Sequence, residues 1–498
     1  MRTLLLAAAA LIASPVLAQD AAPPKPALGK AEDIPPPNRS VTRHAGMFGG
    51  QSVAYTAITG ETYLKADDGT PRAAIFSTSY IKDGNDPRRP VTFLFNGGPG
   101  SGSVWLHMGA FGPKRVAIPS DAKDDGAPPY PIVDNPDSLL DVTDVVFIDP
   151  VGTGFSHALG KTDPKDFYGV TQDARSIAQF IRLWLNEHGR WNSPKFLGGE
   201  SYGTTRSAAV LNQLEGQYND VSLNGVILVS TVLDFAAGAD TPGNEMTYIL
   251  NLPSMAATAR FHGKAGAATQ TEAFVEEARR WATGPYAAAL LKGNALPAEE
   301  RATVRRDLAR YTGLSENYLD QADLRVTPAR FYKELLRDRG LTVGRLDSRY
   351  TGRDFDNAGE TPDNDPSFYG IDGGYTAAIN AYVRGDLKYA TDRSYVTIGQ
   401  VGPWDWRLGG GRDNDVYMNV APYIGKALRE NSGLRIFVGQ GWYDFATPFF
   451  AAEYALSRTG YDKSRIQFHY YDAGHMMYVR DEDRAKLTRD IRAFIRAR

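Results

Sequence analysis

Residues 195–203 read KFLGGESYG, and this stretch decides the fold. The apolar pair Phe196 and Leu197 predicts a short buried strand, and Ser201 follows it in a GxSxG pattern that opens a helix. Small residues on both sides of a serine suit a strained strand-to-helix turn, which lifts the hydroxyl above the sheet. An ordinary glycine-rich turn is the structural alternative. Ser201 is therefore a candidate nucleophile, provided that a base and an acid accompany it.

Apolar runs of the same kind lie on both sides of this stretch. They occur at 91–95, 145–148, 226–229, 434–438 and 466–471. Runs that are apolar on both faces are typical of buried parallel strands, and helical patterns separate them along the chain. This alternation predicts an α/β fold with a mostly parallel central sheet. Strand-like runs between 52 and 81, with a turn at 67–69, predict an antiparallel hairpin region before it.

Composition sets the predicted segments of the chain. They are a secretory signal peptide (1–18), a Pro- and Ala-rich disordered tether (19–40), a first part of the core (41–235), a mainly helical cap insertion (236–405) and a second part of the core (406–498). The signal peptide rests on Arg2, an apolar run at 4–13 and a small-residue cleavage site at 16–18. Since that run is too short to span a membrane, we expect an exported protein, periplasmic or secreted.

The overall composition excludes several classes of function. The 498 residues include 55 basic and 58 acidic side chains, and the net charge of −3 gives no electrostatic reason to expect a nucleic-acid partner. The absence of cysteine excludes disulfides, zinc–thiolate sites and thiol catalysis. The glycine-rich stretches fit neither a dinucleotide nor a phosphate loop. We therefore expect no cofactor and no metal, and the composition leaves the oligomeric state open.

A base for Ser201 must come from the few histidines that follow it, because chains of this fold class carry the order serine, acid, histidine. These are His262, His469 and His475. His262 lies in the predicted insertion, and His469 lies inside an apolar run where it suits a plain strand residue. His475 follows the last predicted strand in a loop, which favours it as the base.

The acid is expected at the end of the preceding strand. Asp444 occupies that place, in the stretch GWYDFATP at 441–448. Its carboxylate would hold the imidazole in one tautomer and stabilise the imidazolium. Asp472 is the competitor, but it precedes Gly474 on the histidine loop and better suits a turn cap.

A glycine-dense loop follows the run at 91–95. Residues 96–103 read NGGPGSGS, and such density lets backbone N–H groups approach a substrate closely. Further along, the aromatic side chains of Trp404, Trp406, Tyr443 and 449–450 suit either a substrate pocket or the core.

These motifs together resemble the serine carboxypeptidases, peptidase family S10. The matching stretches are NGGPG (96–100), DPVGTGFS (149–156), GESYG (199–203), the Asp444 segment and GH (474–475). The resemblance implies an α/β-hydrolase fold and the release of C-terminal amino acids from peptides. It further implies a catalytic triad of Ser201, Asp444 and His475, with the amides of Gly98 and Tyr202 as the oxyanion hole.

The resemblance also implies that Asn96 and Glu200 bind the terminal carboxylate of the substrate. A carboxylate beside the nucleophile helps only when it is protonated, which requires a raised pKa. The family pairs it with a second glutamate, and Ala110 stands at the corresponding spacing from Asn96. We hypothesise that carboxylate recognition is weaker here, or uses a basic group such as Arg206 or one from the cap.

Two other functions remain open from the sequence. The same triad would serve an esterase or acyltransferase, which would turn over esters but not peptides with a free C-terminus. A non-catalytic binding protein that kept the fold is the other alternative, although a serine, an acid and a histidine in the expected order argue against it.

Overall fold

The protein is described by a computed structural model that covers residues 34–84, 86–216, 220–239, 241–408, 417–458 and 460–497. The predicted signal peptide and most of the predicted tether lie outside these residues.

The strands are β1 (Arg39–Phe48), β2 (Gln51–Lys65), β3 (Pro71–Lys82), β4 (Val91–Phe95), β5 (Lys114–Val116), β6 (Ile132–Asp134), β7 (Asp144–Ile148), β8 (His157–Ala158), β9 (Lys195–Ser201), β10 (Gly225–Thr231), β11 (Thr342–Val343), β12 (Thr351–Gly352), β13 (Arg435–Gly441) and β14 (Ile466–Tyr471).

The helices are α1 (Val170–His188), α2 (Tyr202–Leu214), α3 (Met246–Phe261), α4 (Thr271–Trp281), α5 (Ala287–Lys292), α6 (Ala298–Thr312), α7 (Glu316–Gln321), α8 (Pro328–Glu334), α9 (Pro366–Tyr369), α10 (Asp372–Gly385), α11 (Ala421–Glu430), α12 (Phe449–Ala455) and α13 (Asp481–Arg496).

One large sheet organises the molecule. Within the described residues its order is β1-β2-β3-β7-β4-β9-β10-β13-β14, and β8 pairs with β3. The strands from β7 to β14 run parallel, whereas β1, β2, β3 and β7 pair antiparallel. The predicted mostly parallel sheet with an antiparallel N-terminal region is confirmed. This is the α/β-hydrolase fold.

The parallel strands are apolar on both faces because helices cover both faces of the sheet. Successive residues therefore enter different hydrophobic clusters: Phe196 and Ile227 pack on one side, and Leu197 and Leu228 on the other. Helices α1, α2 and α11 cover one face, and α10 and α13 cover the other. The sheet thereby holds its strand ends in fixed positions, which is where the candidate site residues lie.

Most of the stretch 236–405 is helical, as predicted. Residues of α3 to α8 form a separate hydrophobic cluster, whereas α10 packs with the cluster on the central sheet. The sequence pattern predicts a helix capped by Thr327, with Pro328 in its first turn and Gly340 at its end. The observed helix α8 starts at Pro328, with Thr327 as its cap, but ends at Glu334. Gly340, expected to close it, instead ends a separate short turn with φ +66°. The extent of the cap remains a prediction.

The N-terminal boundary needs a correction. Strand β1 begins at Arg39, so the predicted tether, which extends to residue 40, ends too late. The strand lies at the edge of the sheet and alternates between exposed and half-buried positions, so it lacks the apolar run that marks the buried strands. Among the described residues, none of the helices has the length and apolar character needed to cross a membrane.

Candidate active site

Ser201 ends strand β9, and helix α2 begins at the next residue. Its backbone has φ +60° and ψ −130°, a conformation that costs a non-glycine residue about 1–3 kcal/mol. The tight turn leaves no room for a side chain at Gly199, where a Cβ would stand 2.0 Å from the carbonyl oxygen of Gly203. The glycine pattern thus has the steric cause that the sequence predicts, and it turns the serine towards an open cleft.

His475 and Asp444 meet above the ends of neighbouring strands β14 and β13. The distance from His475 Nδ1 to Asp444 Oδ2 is 2.8 Å, and both side chains are buried. The backbone N–H of His475 donates to the carbonyl of Leu346 at 2.7 Å, which fixes the loop that carries the imidazole. The structure therefore brings together the acid and the base that the sequence predicts.

Asp444 is saturated with hydrogen bonds. It accepts from the amides of Ala446 and Thr447 at 2.8 and 3.0 Å and from the Thr447 hydroxyl at 2.6 Å. Burial by itself lowers the pKa of His475, but the charge of Asp444 and its hydrogen bond outweigh burial, and the pKa lies above its ordinary value. A buried carboxylate held in this way orients the imidazole and stabilises its protonated form.

The competing residues lie elsewhere. His469 lies on β14, stacks on Phe437 and has its Nδ1 3.3 Å from the carboxylate of Asp490. The Nε2 atom of His262 lies 2.7 Å from the carbonyl oxygen of Ser348. Asp472 accepts a hydrogen bond from the hydroxyl of Tyr443 at 2.9 Å, so its carboxylate faces away from the imidazole.

The glycine-rich loop reaches the start of helix α2. A Cβ on Gly97 would stand 2.5 Å from the backbone nitrogen of Tyr202, so the two segments touch. Gly98 has φ +102°, a conformation that favours glycine, and it lines the open cleft beside Ser201 and Tyr202. The residues predicted for the oxyanion hole are thereby adjacent to the serine.

Asp149 holds this loop from below, a role that the sequence motif did not reveal. Its Oδ1 atom accepts from the amide of Ser103 at 2.7 Å and from the hydroxyl of Tyr395 at 3.1 Å. Burial raises its pKa to about 6, against the effect of these hydrogen bonds. A Cβ at Gly154 would collide with its other oxygen at 1.7 Å, which explains the glycine in the DPVGTGFS stretch.

Asn96 and Glu200 form the second predicted pair. Asn96 Nδ2 donates to Glu200 Oε1 at 3.0 Å, and its own oxygen accepts from the amide of Leu106 at 3.0 Å. Burial raises the pKa of Glu200 to about 7, although the nearby His475 charge opposes the shift. The carboxyl group is therefore protonated over a wider pH range than an ordinary glutamate, as the sequence argument requires.

Two tyrosines from distant parts of the chain lie beside Glu200. Both tyrosines are fully buried. Burial raises the pKa of each phenol, and the negative charge of Glu200 raises it further. The Tyr375 hydroxyl and the Tyr478 ring occupy the space over Gly109, where a Cβ would stand 2.4 and 2.7 Å from them. Ala110, one residue further, is buried in the turn Leu106–Phe111. Tyr375 and Tyr478 therefore pack against the turn that carries Ala110, the position at which the family resemblance implies a second glutamate.

Arg206 does not face the substrate, contrary to the hypothesis drawn from the sequence. Its side chain is fully buried under the sheet, with Nε 2.6 Å from Asp173 Oδ2. It also donates to the carbonyl oxygen of Asn96. Arg206 therefore fixes the backbone of the glycine-rich loop and is not available to a ligand.

An open cleft of about 700 Å³ lies over Ser201. The core supplies one wall, including Gly98, Tyr202 and Thr447, and Thr447 Oγ1 lies 3.2 Å from His475 Nδ1. Of the aromatic residues singled out in the sequence, Trp406 lines the cleft, whereas Tyr443 and Phe449 are buried in the core.

Helices α3 and α8 supply the opposite wall of the cleft, through Thr247, Asn251, Pro328 and Tyr332. A hydroxyl on a strained turn, an imidazole bound to a buried carboxylate and a glycine-rich loop at the cleft define an α/β-hydrolase equipped for nucleophilic acyl transfer.

Comparison with known proteins finds similarity over part of the chain. Residues 59–262 match the family model described as serine carboxypeptidase, and this segment contains the motifs at 96–100, 149–156 and 199–203. The resemblance to the serine carboxypeptidases is therefore confirmed. Asp444 and His475 lie beyond the matched segment, so their assignment depends on the geometry above.

Curated relatives match a similar share of the chain. Serine carboxypeptidase-like 16 of Arabidopsis thaliana is 27% identical over 164 residues, which are 31% of this chain and 36% of the relative. Serine carboxypeptidase-like 4 of the same plant is 28% identical over 165 residues, again 31% and 36%. The match thus spans about a third of the length of these relatives.

Among solved structures, the fold is similar to that of Kex1(delta)p, a prohormone-processing carboxypeptidase from Saccharomyces cerevisiae. The TM-score is 0.52 at 16% sequence identity, and the superposition covers 88% of this chain and 91% of the other. At this level of identity the likeness concerns the fold.

Proposed function

We propose that this protein is a serine-type carboxypeptidase that releases C-terminal amino acids from peptides. The observation that carries the proposal is the 2.8 Å contact between His475 and Asp444, which follow β14 and β13 at the same edge of the parallel sheet as the serine turn after β9. The serine carboxypeptidase match over residues 59–262 supports the same activity.

In the proposed mechanism, His475 takes the proton of Ser201 and the hydroxyl oxygen attacks the last peptide carbonyl. Asp444 keeps the Nδ1 proton of the imidazole directed at itself, which leaves the other ring nitrogen to act as the base. The protonated imidazole then gives its proton to the leaving amino group. Water hydrolyses the acyl-enzyme in a second passage through the same steps.

The oxyanion is proposed to rest on the amides of Gly98 and Tyr202. Tyr202 is the first residue of α2, so its N–H has no partner within the helix. Two fixed backbone donors at a developing negative charge contribute a large share of catalysis in acyl transfer. The collision that a side chain at position 97 would cause supports their close approach.

Asn96 and Glu200 are proposed to bind the terminal carboxylate. A protonated Glu200 donates a hydrogen bond, whereas an ionised Glu200 repels the substrate. Its pKa of about 7 favours the protonated form in acidic and neutral solution. Arg206 supports this pair indirectly by holding the carbonyl of Asn96.

The test is mass spectrometry of a defined peptide mixture after incubation with the purified protein. We expect ladders that shorten one residue at a time from the C-terminus, and no ladder with Ser201→Ala. The same peptides with a C-terminal amide serve as the control for carboxylate recognition. Turnover of simple esters with no release of amino acids from free-carboxylate peptides would overturn the proposal in favour of an esterase.

The export of the protein to the periplasm or the medium is also a proposal. The 1–18 segment supports export, and cleavage after Ala18 would leave Gln19 as the first residue. N-terminal sequencing of protein recovered from the periplasm and from the medium tests the cleavage and separates the two locations.

A further inference from the structure

One cation lines the same cleft as Ser201. Arg345 is the only lysine or arginine among the cleft-lining residues that the structure describes, and its side chain is exposed. It lies two residues after strand β11. Arg206, the basic residue that follows the serine turn, is buried and does not line this cleft.

The backbone of Arg345 is held firmly, whereas its guanidinium is not. Its N–H donates to Asp365 at 3.0 Å, and its carbonyl accepts from the amide of Phe445 at 3.1 Å. Within the described part of the chain, its guanidinium forms no ion pair or hydrogen bond. Most other arginines of the cap, such as Arg301 and Arg325, are paired with carboxylates.

The backbone of Arg345 lies beside the segment that follows Asp444 and beside the loop that carries His475. Its carbonyl contact, Phe445, follows the catalytic acid, and the next residue, Leu346, accepts the backbone N–H of His475. Its positive charge lowers the pKa of His475. The leaving amino group receives its proton from this imidazole, and in an amino acid the carboxylate is attached one carbon from that nitrogen.

We infer that Arg345 binds the C-terminal carboxylate of the peptide substrate and sets the preference for a free C-terminus. This inference rests on the proposed carboxypeptidase function and names the group that recognises its substrate. A guanidinium presents paired donors that match a carboxylate. The charge on the cleft wall thereby complements Asn96 and Glu200, and the missing second glutamate is no obstacle to recognition.

The test measures binding in the Ser201→Ala variant, where turnover does not intervene. Isothermal titration compares an N-acetylated tripeptide acid with the same tripeptide amide. We expect the acid to bind more tightly, and adding Arg345→Gln to reduce this preference about tenfold or more. Arg345→Lys should restore part of it, because a point charge remains but the fork is lost.

A matched control is Arg306→Gln, which removes an exposed cap arginine whose guanidinium contacts only the hydroxyl of Thr303 at 3.0 Å. The control should leave the acid-to-amide preference unchanged. The inference is overturned if Arg345→Gln leaves that preference within about twofold, or if the Ser201→Ala parent shows no preference for the acid.

These outcomes separate the inference from the proposed function. Release of amino acids by the wild-type protein, with no effect of Arg345→Gln on the preference, contradicts the role of Arg345 alone. A preference that depends on Arg345, in a protein that releases no amino acids, supports carboxylate binding and contradicts the carboxypeptidase reaction.

Discussion

The two walls of the cleft differ in how their polar groups are held. Behind the core wall, Asp444 and Arg206 are buried, and each makes at least two hydrogen bonds. On the cap wall, Arg345 is exposed and its guanidinium has no ion-pair partner among the described residues. The polar groups behind the core wall are held in place by internal hydrogen bonds, whereas the guanidinium on the cap wall can pair with a ligand.

The two arginines make this difference concrete. Arg206 pairs with Asp173 and donates a hydrogen bond to the carbonyl of Asn96, so its role is structural. The guanidinium of Arg345 has no ion-pair partner among the described residues and lines the cleft. The role of an arginine therefore depends on which groups it contacts and cannot be read from the residue type alone.

The largest effect is expected from the nucleophile and the base. Ser201→Ala or His475→Ala should each lower kcat by about 10⁶, and the double variant should lose no more than either one. The measurement is amino-acid release, together with labelling of Ser201 by a fluorophosphonate. The control is His469→Ala, which removes an imidazole within β14 that lies 3.3 Å from the Asp490 carboxylate and should keep the activity. Full activity in either single variant would refute the assignment.

Asp444→Asn should lower kcat by up to about 10⁴, because the amide favours the wrong imidazole tautomer. The comparison is Asp472→Asn, whose carboxylate is bound to Tyr443 and should leave kcat unchanged. Steady-state kinetics on one peptide substrate decides between them. Equal losses in the two variants would mean that the acid has been assigned to the wrong aspartate.

The two arginines should differ sharply in stability. Asp173→Asn leaves the buried Arg206 without its countercharge and should lower the free energy of unfolding by about 3–5 kcal/mol. Arg345→Gln should change it by less than about 0.5 kcal/mol, as expected for an exposed side chain. Urea unfolding followed by circular dichroism measures both. A large loss in Arg345→Gln would show that its role is structural.

The smallest effect concerns pH. Glu200 has its pKa raised to about 7, so its protonated, hydrogen-donating form is present below that pH and is lost as the pH rises through it. Binding of a peptide acid to the Ser201→Ala variant should therefore weaken above pH 7, by at most about tenfold per pH unit.

Glu200→Gln provides the control for that titration, because glutamine donates a hydrogen bond at every pH. With Gln at position 200 the affinity for the peptide acid should no longer fall above pH 7, and the peptide amide should bind with little pH dependence in both variants. An unchanged fall in the Gln variant would assign the titration to another group, such as His475.

Much of the fold could be predicted from local pattern. The strand run at 226–229 lies within β10, and the helix expected at 171–187 is α1, because apolar periodicity over a few residues reports burial directly. Strand β1 was missed because an edge strand buries little and has no such run. The end of α8 was misplaced because Gly340 closes a separate turn.

The proposed catalytic residues could be predicted from the sequence for a related reason. Ser201 sits in a motif whose small residues have a steric cause, and Asp444 and His475 each follow a recognisable strand. The surroundings of Glu200 could not be predicted from the sequence. Tyr375 and Tyr478 lie far from it in the chain, and neither belongs to a recognisable motif. The suggestion that Arg206 binds the substrate carboxylate was wrong, since its pairing with the distant Asp173 is visible only in three dimensions.

The sequence by itself determined the order of strands and helices, the strained serine turn and the acid–histidine pair that we propose to act with it. These features depend on steric and periodic patterns within short stretches of chain. Only the tertiary structure decided which charged side chains form ion pairs within the protein, because such pairs join residues that are far apart in the chain. For that reason Arg345, which no motif marks, is the residue that we propose as the binding group for the substrate carboxylate.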